Sequence, residues 1–413
     1  MNFRALLLAV IASAAVSFFT PATVTAATFR QWVEDFADEA AANGINRILY
    51  FDVFHGIEQE DASVLERAAY QPEYTTPLWE YLDMRVNSVS VRAGLAAKAR
   101  YDETLRQIER RYGVGREVLL AIWSVETKYG EVLRNNKRLH YVPQALATLA
   151  WGDRKRASFA RAQLVATLKI MGDNYWIGRD KMYGSWAGAM GQTQFIPTSY
   201  LAYAVDEDGD GRRDIWDSVA DALASSANLL KKNGWQRGEP WGIEVAAGKS
   251  LMSWHGQSKT LSAWQKLGIK KADGLPLPDG PTMATLNLPA GLDGPAFLLL
   301  KNFSVIKRYN NSDAYALAVL LLADQLADRP APKAAWRRSP DSVTFLEKQE
   351  MQRLLRERGL YQGEIDGWFG EASREALEWF ECQNGLPVTG QPTQKLLKAL
   401  RMPGGGKQVT GNR

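Results

Sequence analysis

Glu126 is the side chain that its neighbours in sequence best equip for acid chemistry. It lies in EVLLAIWSVETKYG (Glu117 to Gly130), where Val118, Leu119, Ile122 and Val125 recur at helical spacing and predict one apolar stripe. Glu126 follows Ile122 and Trp123 by four and three residues, so it shares their helical face. A carboxylate at such an edge is partly desolvated, which raises its pKa and suits it to give up a proton near neutral pH. Cleaving a glycosidic bond requires such a donor to the leaving oxygen. Periodicity alone is equally met by an ordinary solvated glutamate.

A second acidic pattern is DEDGDGRRDIWD (Asp206 to Asp217). Its carboxylates fall at loop positions 1, 3, 5, 9 and 12, with Gly211 at position 6. That is the spacing of a twelve-residue calcium loop, in which the glycine makes the sharp turn. The expected ligands are Asp206, Asp208, Asp210, the backbone carbonyl of Arg212 and Asp217. Asp in place of Glu at position 12 has a shorter reach, which lowers affinity or admits another cation. The alternative is a solvated acidic loop without metal. A single loop of this kind would brace a fold rather than act as a sensor.

Two further segments carry polar groups suited to sugars. GSWAGAMGQTQFIPTSY (Gly184 to Tyr200) sets small residues beside Gln192 and Gln194, allowing close backbone approach and amide hydrogen bonds. Tyr309-Asn310-Asn311, with Tyr315, is a polar aromatic cluster at a helix start. Tight helix packing and N-capping would account for the same residues.

The elements that must hold these groups are mainly helical. Three- and four-residue spacing marks Arg30 to Ala42, Tyr101 to Tyr112, Val118 to Tyr129, Ala157 to Asn174, Val219 to Asn233 and Ser312 to Leu326. Between Trp235 and Pro289 the pattern loosens, and Gly242 to Ala246 reads as a strand in a small mixed subdomain. Residues 329–342 are proline-rich and read as a linker. A three-helix unit follows over 343–402, opened by a Thr344/Glu347 capping box, and the Gly-rich 403–413 reads as a disordered tail. The fold class expected is mainly α: a helical domain over 27–328 with its mixed subdomain, then the small helical unit.

Residues 1–26 read as a secretory signal, with Arg4, an apolar run from Leu6 to Phe19 and Val24-Thr25-Ala26 before the expected start at Ala27. Cys382 is the lone cysteine, far from that site, so the expectation is a soluble periplasmic protein rather than a lipoprotein. One cysteine and three histidines exclude disulfides and a Cys- or His-rich metal centre. A net charge of +4 argues against nucleic acid as partner but is compatible with approach to an anionic polymer.

Taken together, SVETKYG (Ser124 to Gly130), GSWAGAMG (Gly184 to Gly191) continuing to QFIP (Gln194 to Pro197), the Asp206 loop and RYN (Arg308 to Asn310) with Tyr315 resemble the lytic murein transglycosylase B family, glycoside hydrolase family 103. The resemblance covers about Phe29 to Ala327. It implies a lysozyme-like helical fold, Glu126 as sole catalytic carboxylate, and Ser185, Gln194, Tyr309, Asn310 and Tyr315 along the sugar-binding cleft. It implies a structural calcium or sodium ion and no catalytic cofactor. The run Gln192-Thr193-Gln194 departs from the family's pattern, so the resemblance gives Gln192 no role. The 343–402 unit, with GEIDGWFG (Gly363 to Gly370) and NGLPVTG (Asn384 to Gly390), resembles type-1 peptidoglycan-binding domains.

The implied reaction cleaves the MurNAc-GlcNAc β-1,4 bond of peptidoglycan strands and closes a 1,6-anhydro ring on muramic acid. A muramidase using water and a non-catalytic wall-binding protein are the competing readings. Partners among cell-wall synthesis or division proteins are not legible in the sequence.

Overall fold

The computed structural model describes residues 27–69, 76–134, 139–246 and 248–402. The signal-like segment and the tail lie outside the described residues. The predicted helices form at Phe29–Ala42, Asp102–Tyr112, Arg116–Thr127, Ala157–Asp173, Val219–Lys232 and Asp313–Leu326. Each boundary follows local chemistry. Ser218 and Ser312 accept from the backbone of Asp221 and Tyr315 as N-caps, and Gly113, at φ 75°, closes Asp102–Tyr112 in the left-handed region that glycine enters without steric cost.

The Arg116–Thr127 helix departs from a simple stripe. Leu119, Leu120, Ala121, Ile122, Trp123 and Val125 are all buried. A helix that is apolar all round belongs in the middle of a core, and this one packs against the helices Asp313–Leu326, Ser88–Arg100 and Val219–Lys232. Its end is sharply turned. Lys128, Tyr129 and Gly130 take φ of 51°, 60° and 84° in succession, and the Lys128 amide donates to Ser124 O at 2.9 Å. A Cβ at Gly130 would stand 2.5 Å from Gln192 Oε1, so only glycine fits there.

The mixed subdomain is real. Its antiparallel sheet runs, in spatial order, Gly242–Val245, Ala296–Leu299, Met283–Asn287 and Ser258–Thr260. In register, Ile243 faces Leu298 and Leu286 faces Leu298 from the other side. Leu286, Leu298 and Trp264 fill a core of its own, where the Trp264 indole N–H donates to Ala284 O at 2.9 Å.

The C-terminal unit packs helices Phe345–Glu357, Glu371–Gln383 and Gln394–Arg401 around Met351, Leu355, Leu377, Phe380 and Leu397. The Thr344/Glu347 capping box forms. The proline-rich segment before it is strapped down rather than loose. Glu244 accepts from the Lys333 and Ala334 amides at 2.9 and 3.0 Å, Trp336 packs on Phe297, and Arg338 pairs with Asp83 at 2.6 Å.

Candidate active site

Glu126 sits in the last turn of the buried helix, the only acidic side chain that helix carries past its first turn. Tyr315, in the first turn of Asp313–Leu326, donates its hydroxyl to Glu126 Oε1 at 2.6 Å. Ser312 fixes that donor, because its hydroxyl accepts the Tyr315 amide at 3.3 Å and sets where the helix begins. Burial pushes the Glu126 pKa up to about 7, while the Tyr315 hydrogen bond and the nearby Arg85 guanidinium pull it down. The outcome is a carboxyl group divided between acid and base forms near neutral pH, the condition a group needs to serve as both.

Tyr309 supplies a second wall. Its hydroxyl donates to Thr193 O at 2.6 Å and lies 3.1 Å from Ser226 Oγ. Its ring lies parallel to that of Tyr315, 6.4 Å away, and edge-on to Phe195. Burial and the Glu126 charge raise both tyrosine pKa values, so the phenols stay neutral and keep their protons to donate. Arg85 donates to Val125 O at 3.4 Å, while its Nε is buried without a partner among the described residues.

The other expected cleft residues stand differently. Ser185 Oγ accepts the Ala189 amide at 3.0 Å, and Ser185 N donates to Ala189 O at 2.8 Å. It thus braces the glycine-rich turn and makes no hydrogen bond to Glu126. Gln194 adopts φ 52°, rare for a non-glycine residue, and its amide donates to Gly191 O at 3.0 Å. Asn310 is exposed and ends the helix Lys301–Tyr309 rather than opening the next one. Among the described residues the structure therefore brings Tyr315 onto Glu126 and stacks Tyr309 behind it.

Gln192 has a clear task. Its Oε1 accepts from the Trp123 indole at 3.0 Å, its Nε2 donates to Trp216 O at 2.9 Å, and its carbonyl accepts Thr127 Oγ1 at 2.6 Å. Gln192 thereby ties the acid-bearing helix to the acidic segment at Trp216. Arg85 and Ser226 carry no local sequence signal, because each acts on a partner 40 or more residues away, and the Trp123 partner of Gln192 is equally remote.

In the acidic loop, oxygens of Asp206, Asp208, Asp210 and Asp221 lie within 4.8 Å of one another. Asp217 stands outside this group, exposed and paired with Lys181 at 2.5 Å. The reason is local. Asp214 accepts the Trp216 and Asp217 amides, both at 2.9 Å, making an extra turn that buries Ile215 and Trp216. The helix therefore starts only at Val219, and its first turn delivers Asp221 instead. Burial first, and the Asp208 charge as well, raise the Asp221 pKa to about 6, a cost that a cation among these oxygens would offset. An all-oxygen carboxylate set fits a hard cation such as calcium. Arg212 is exposed, with its amide donating to Asp210 at 2.8 Å and its guanidinium over the Trp176 ring.

One carboxyl group of raised pKa, walled by neutral phenols at the end of a buried helix, is equipped for acid–base chemistry. Comparison with known proteins gives the family. Residues 28–324 match the transglycosylase SLT domain, and 347–400 match the putative peptidoglycan binding domain. The chain belongs to the transglycosylase SLT domain family. It is 34% identical over 238 residues to membrane-bound lytic murein transglycosylase B of Escherichia coli, covering 58% of this chain and 64% of that relative. Among solved structures it is similar to SltB3 of Pseudomonas aeruginosa in complex with NAG-anhNAM-pentapeptide, at 43% identity and TM-score 0.71, over 91% of this chain and 100% of that one. It is also similar to Escherichia coli Slt35 in complex with calcium, at 28% identity and TM-score 0.62, over 72% of this chain and 93% of that one. These neighbours share the lysozyme-like helical fold. No helix among the described residues is long and apolar enough to cross a membrane.

Proposed function

We propose that this chain cleaves the MurNAc-GlcNAc β-1,4 bond of peptidoglycan and leaves 1,6-anhydro-muramic ends, with Glu126 as acid and then base. Protonated Glu126 gives its proton to the glycosidic oxygen as the bond to muramyl C1 breaks. The muramyl acetamido group stabilises the cationic centre, so a second carboxylate is not required. Ionised Glu126 then takes the proton of the muramyl C6 hydroxyl, whose oxygen bonds to C1. The attack is intramolecular, which gives it a high effective molarity over water. Tyr315 favours the ionised acid between the two steps by donating to it. Ser185, Gln194, Tyr309 and Asn310 line the sugar path in this reading.

The carrying observation is the pairing of Tyr315 with a Glu126 whose pKa stands near 7. The metal set is Asp206, Asp208, Asp210 and Asp221, with the Arg212 carbonyl, and a calcium or sodium ion bound there would brace the loop and take no part in the reaction. The calcium complex of the 28% identical Slt35 supports that reading. The chain is exported to the periplasm by residues 1–26, and residues 343–402 form a peptidoglycan-binding domain that holds it on the polymer, joined by 329–342.

Mass spectrometry of fragments released from purified peptidoglycan tests the reaction. Muropeptides one water lighter than the hydrolysed form, lost with Glu126→Gln, are expected. Ordinary reducing ends would make the chain a muramidase. Retained binding with no fragments from either form would make it a wall-binding protein.

A further inference from the structure

Apart from the acid site, the molecule holds a cleft of about 550 Å³ between the helix Leu78–Arg85 and the C-terminal unit. Trp79 and Glu80 line one side, and Lys348, Trp368, Arg374 and Thr393 the other. Its charges are not equivalent. Lys348 is committed to Glu80, and Arg338 to Asp83 while stacking over Trp79. Arg374 is exposed, and its guanidinium makes no hydrogen bond or ion pair among the described residues. Trp368, 39% exposed, is offered by a rigid loop. Fully buried Gln352 holds that loop from inside, donating to Trp368 O at 3.0 Å and Asp366 at 3.1 Å and accepting the Gly367 amide at 2.7 Å. A rigid indole beside an unpaired guanidinium is the chemistry that recognises a peptide ending in a carboxylate.

The position of the cleft narrows the choice of peptide. The Leu78–Arg85 helix begins at it with Trp79 and ends with Arg85, which donates to the carbonyl next to Glu126. Eight helical residues span about 12 Å, and an extended peptide of four residues spans about 13 Å. A peptide hanging from a sugar bound at Glu126 is therefore long enough to run the length of that helix toward the cleft.

We propose that this interdomain cleft binds the carboxylate-bearing stem peptide of the strand being cleaved, so that both domains together read whether the glycan carries peptides. The inference rests on the transglycosylase reading above. It makes the C-terminal unit part of substrate selection, through Arg374 pairing with the peptide carboxylate and Trp368 packing on its side chains.

The test compares cleavage by the full chain of peptide-bearing strands and of the same strands stripped of peptides by an amidase. The native chain is expected to favour the peptide-bearing form about tenfold or more in kcat/KM, mainly through KM. Arg374→Glu and Trp368→Ala each bring that ratio close to one, and Arg374→Lys restores part of it. Thermal melts confirm that the variants are folded, and Arg374→Gln replaces any that is not. A native ratio of one, or variants that keep the native ratio, would overturn the proposal. If the native chain cleaves neither substrate, the transglycosylase reading fails first and this inference with it.

Discussion

Glu381 and Glu126 are both drawn away from water, and they are treated in opposite ways. Glu381, in the C-terminal unit, is 1% exposed and accepts three hydrogen bonds, from the Thr389 amide, the Thr389 hydroxyl and the Gly390 amide. Glu126 receives one hydrogen bond among the described residues, from a phenol. A carboxylate saturated by backbone donors is a structural clamp that fixes a loop. A carboxylate left short of donors keeps a raised pKa and remains reactive. Between these two glutamates the difference lies in how many N–H groups the fold directs to the carboxylate.

Substitutions at the two glutamates test this contrast most strongly. Glu126→Gln should lower kcat by roughly 10²–10⁴-fold, the usual worth of a positioned acid or base, as read from anhydro-muropeptide release. Glu381→Gln should instead leave cleavage of soluble glycan near native. It should destabilise the C-terminal unit by about 1–3 kcal/mol, because the charged acceptor of two backbone amides becomes a neutral one, and chemical denaturation would show it.

The stability of the Glu126 variant should move the other way. Glu126 has a folded pKa near 7, above its ordinary 4.5, so the folded state is progressively destabilised as pH rises from 4.5 to 7 and carries the full penalty above that. Glu126→Gln should then be more stable than native by on the order of 1–3 kcal/mol at pH 8. The gain should fade as pH falls toward 4.5, where both states hold the proton. Equal pH profiles of stability would contradict a raised pKa.

The remaining effects are smaller. Calcium at a hundred times its Kd should stabilise the fold by about 2.7 kcal/mol, and Asp221→Ala should abolish that gain in a melt. Asp217→Ala, losing only an exposed pair with Lys181, should stay within about 0.5 kcal/mol of native. Tyr315→Phe removes the donor that favours ionised Glu126, so the alkaline limb of the rate profile should shift upward. An unmoved limb would mean that Tyr315 does not tune the acid.

Helix limits were legible in the sequence because they depend on neighbours. The periodic runs and the Thr344 cap fall where the pattern puts them, whereas periodicity alone left Glu126 indistinguishable from a solvated glutamate. The metal set was only partly legible. A fixed twelve-residue template cannot foresee that Asp214 caps an extra turn and moves the last carboxylate from Asp217 to Asp221. The cluster at Tyr309 to Asn311 reads as one helix start, yet it spans the end of one helix and the beginning of another, with Ser312 as the actual cap. Arg85, and the partners of Gln192, stayed hidden because amides and guanidines gain meaning only from what folding sets beside them.

The all-round burial of the Arg116–Thr127 helix also governs time. Amides of residues 119–125 have no face from which solvent can reach them, and local fraying stops at the left-handed turn after Thr127. Their protons should exchange for deuterium only when the whole domain opens, and so among the slowest in the chain. Exposed loops open at far lower cost, while Glu126 keeps its place for as long as the protein stays folded.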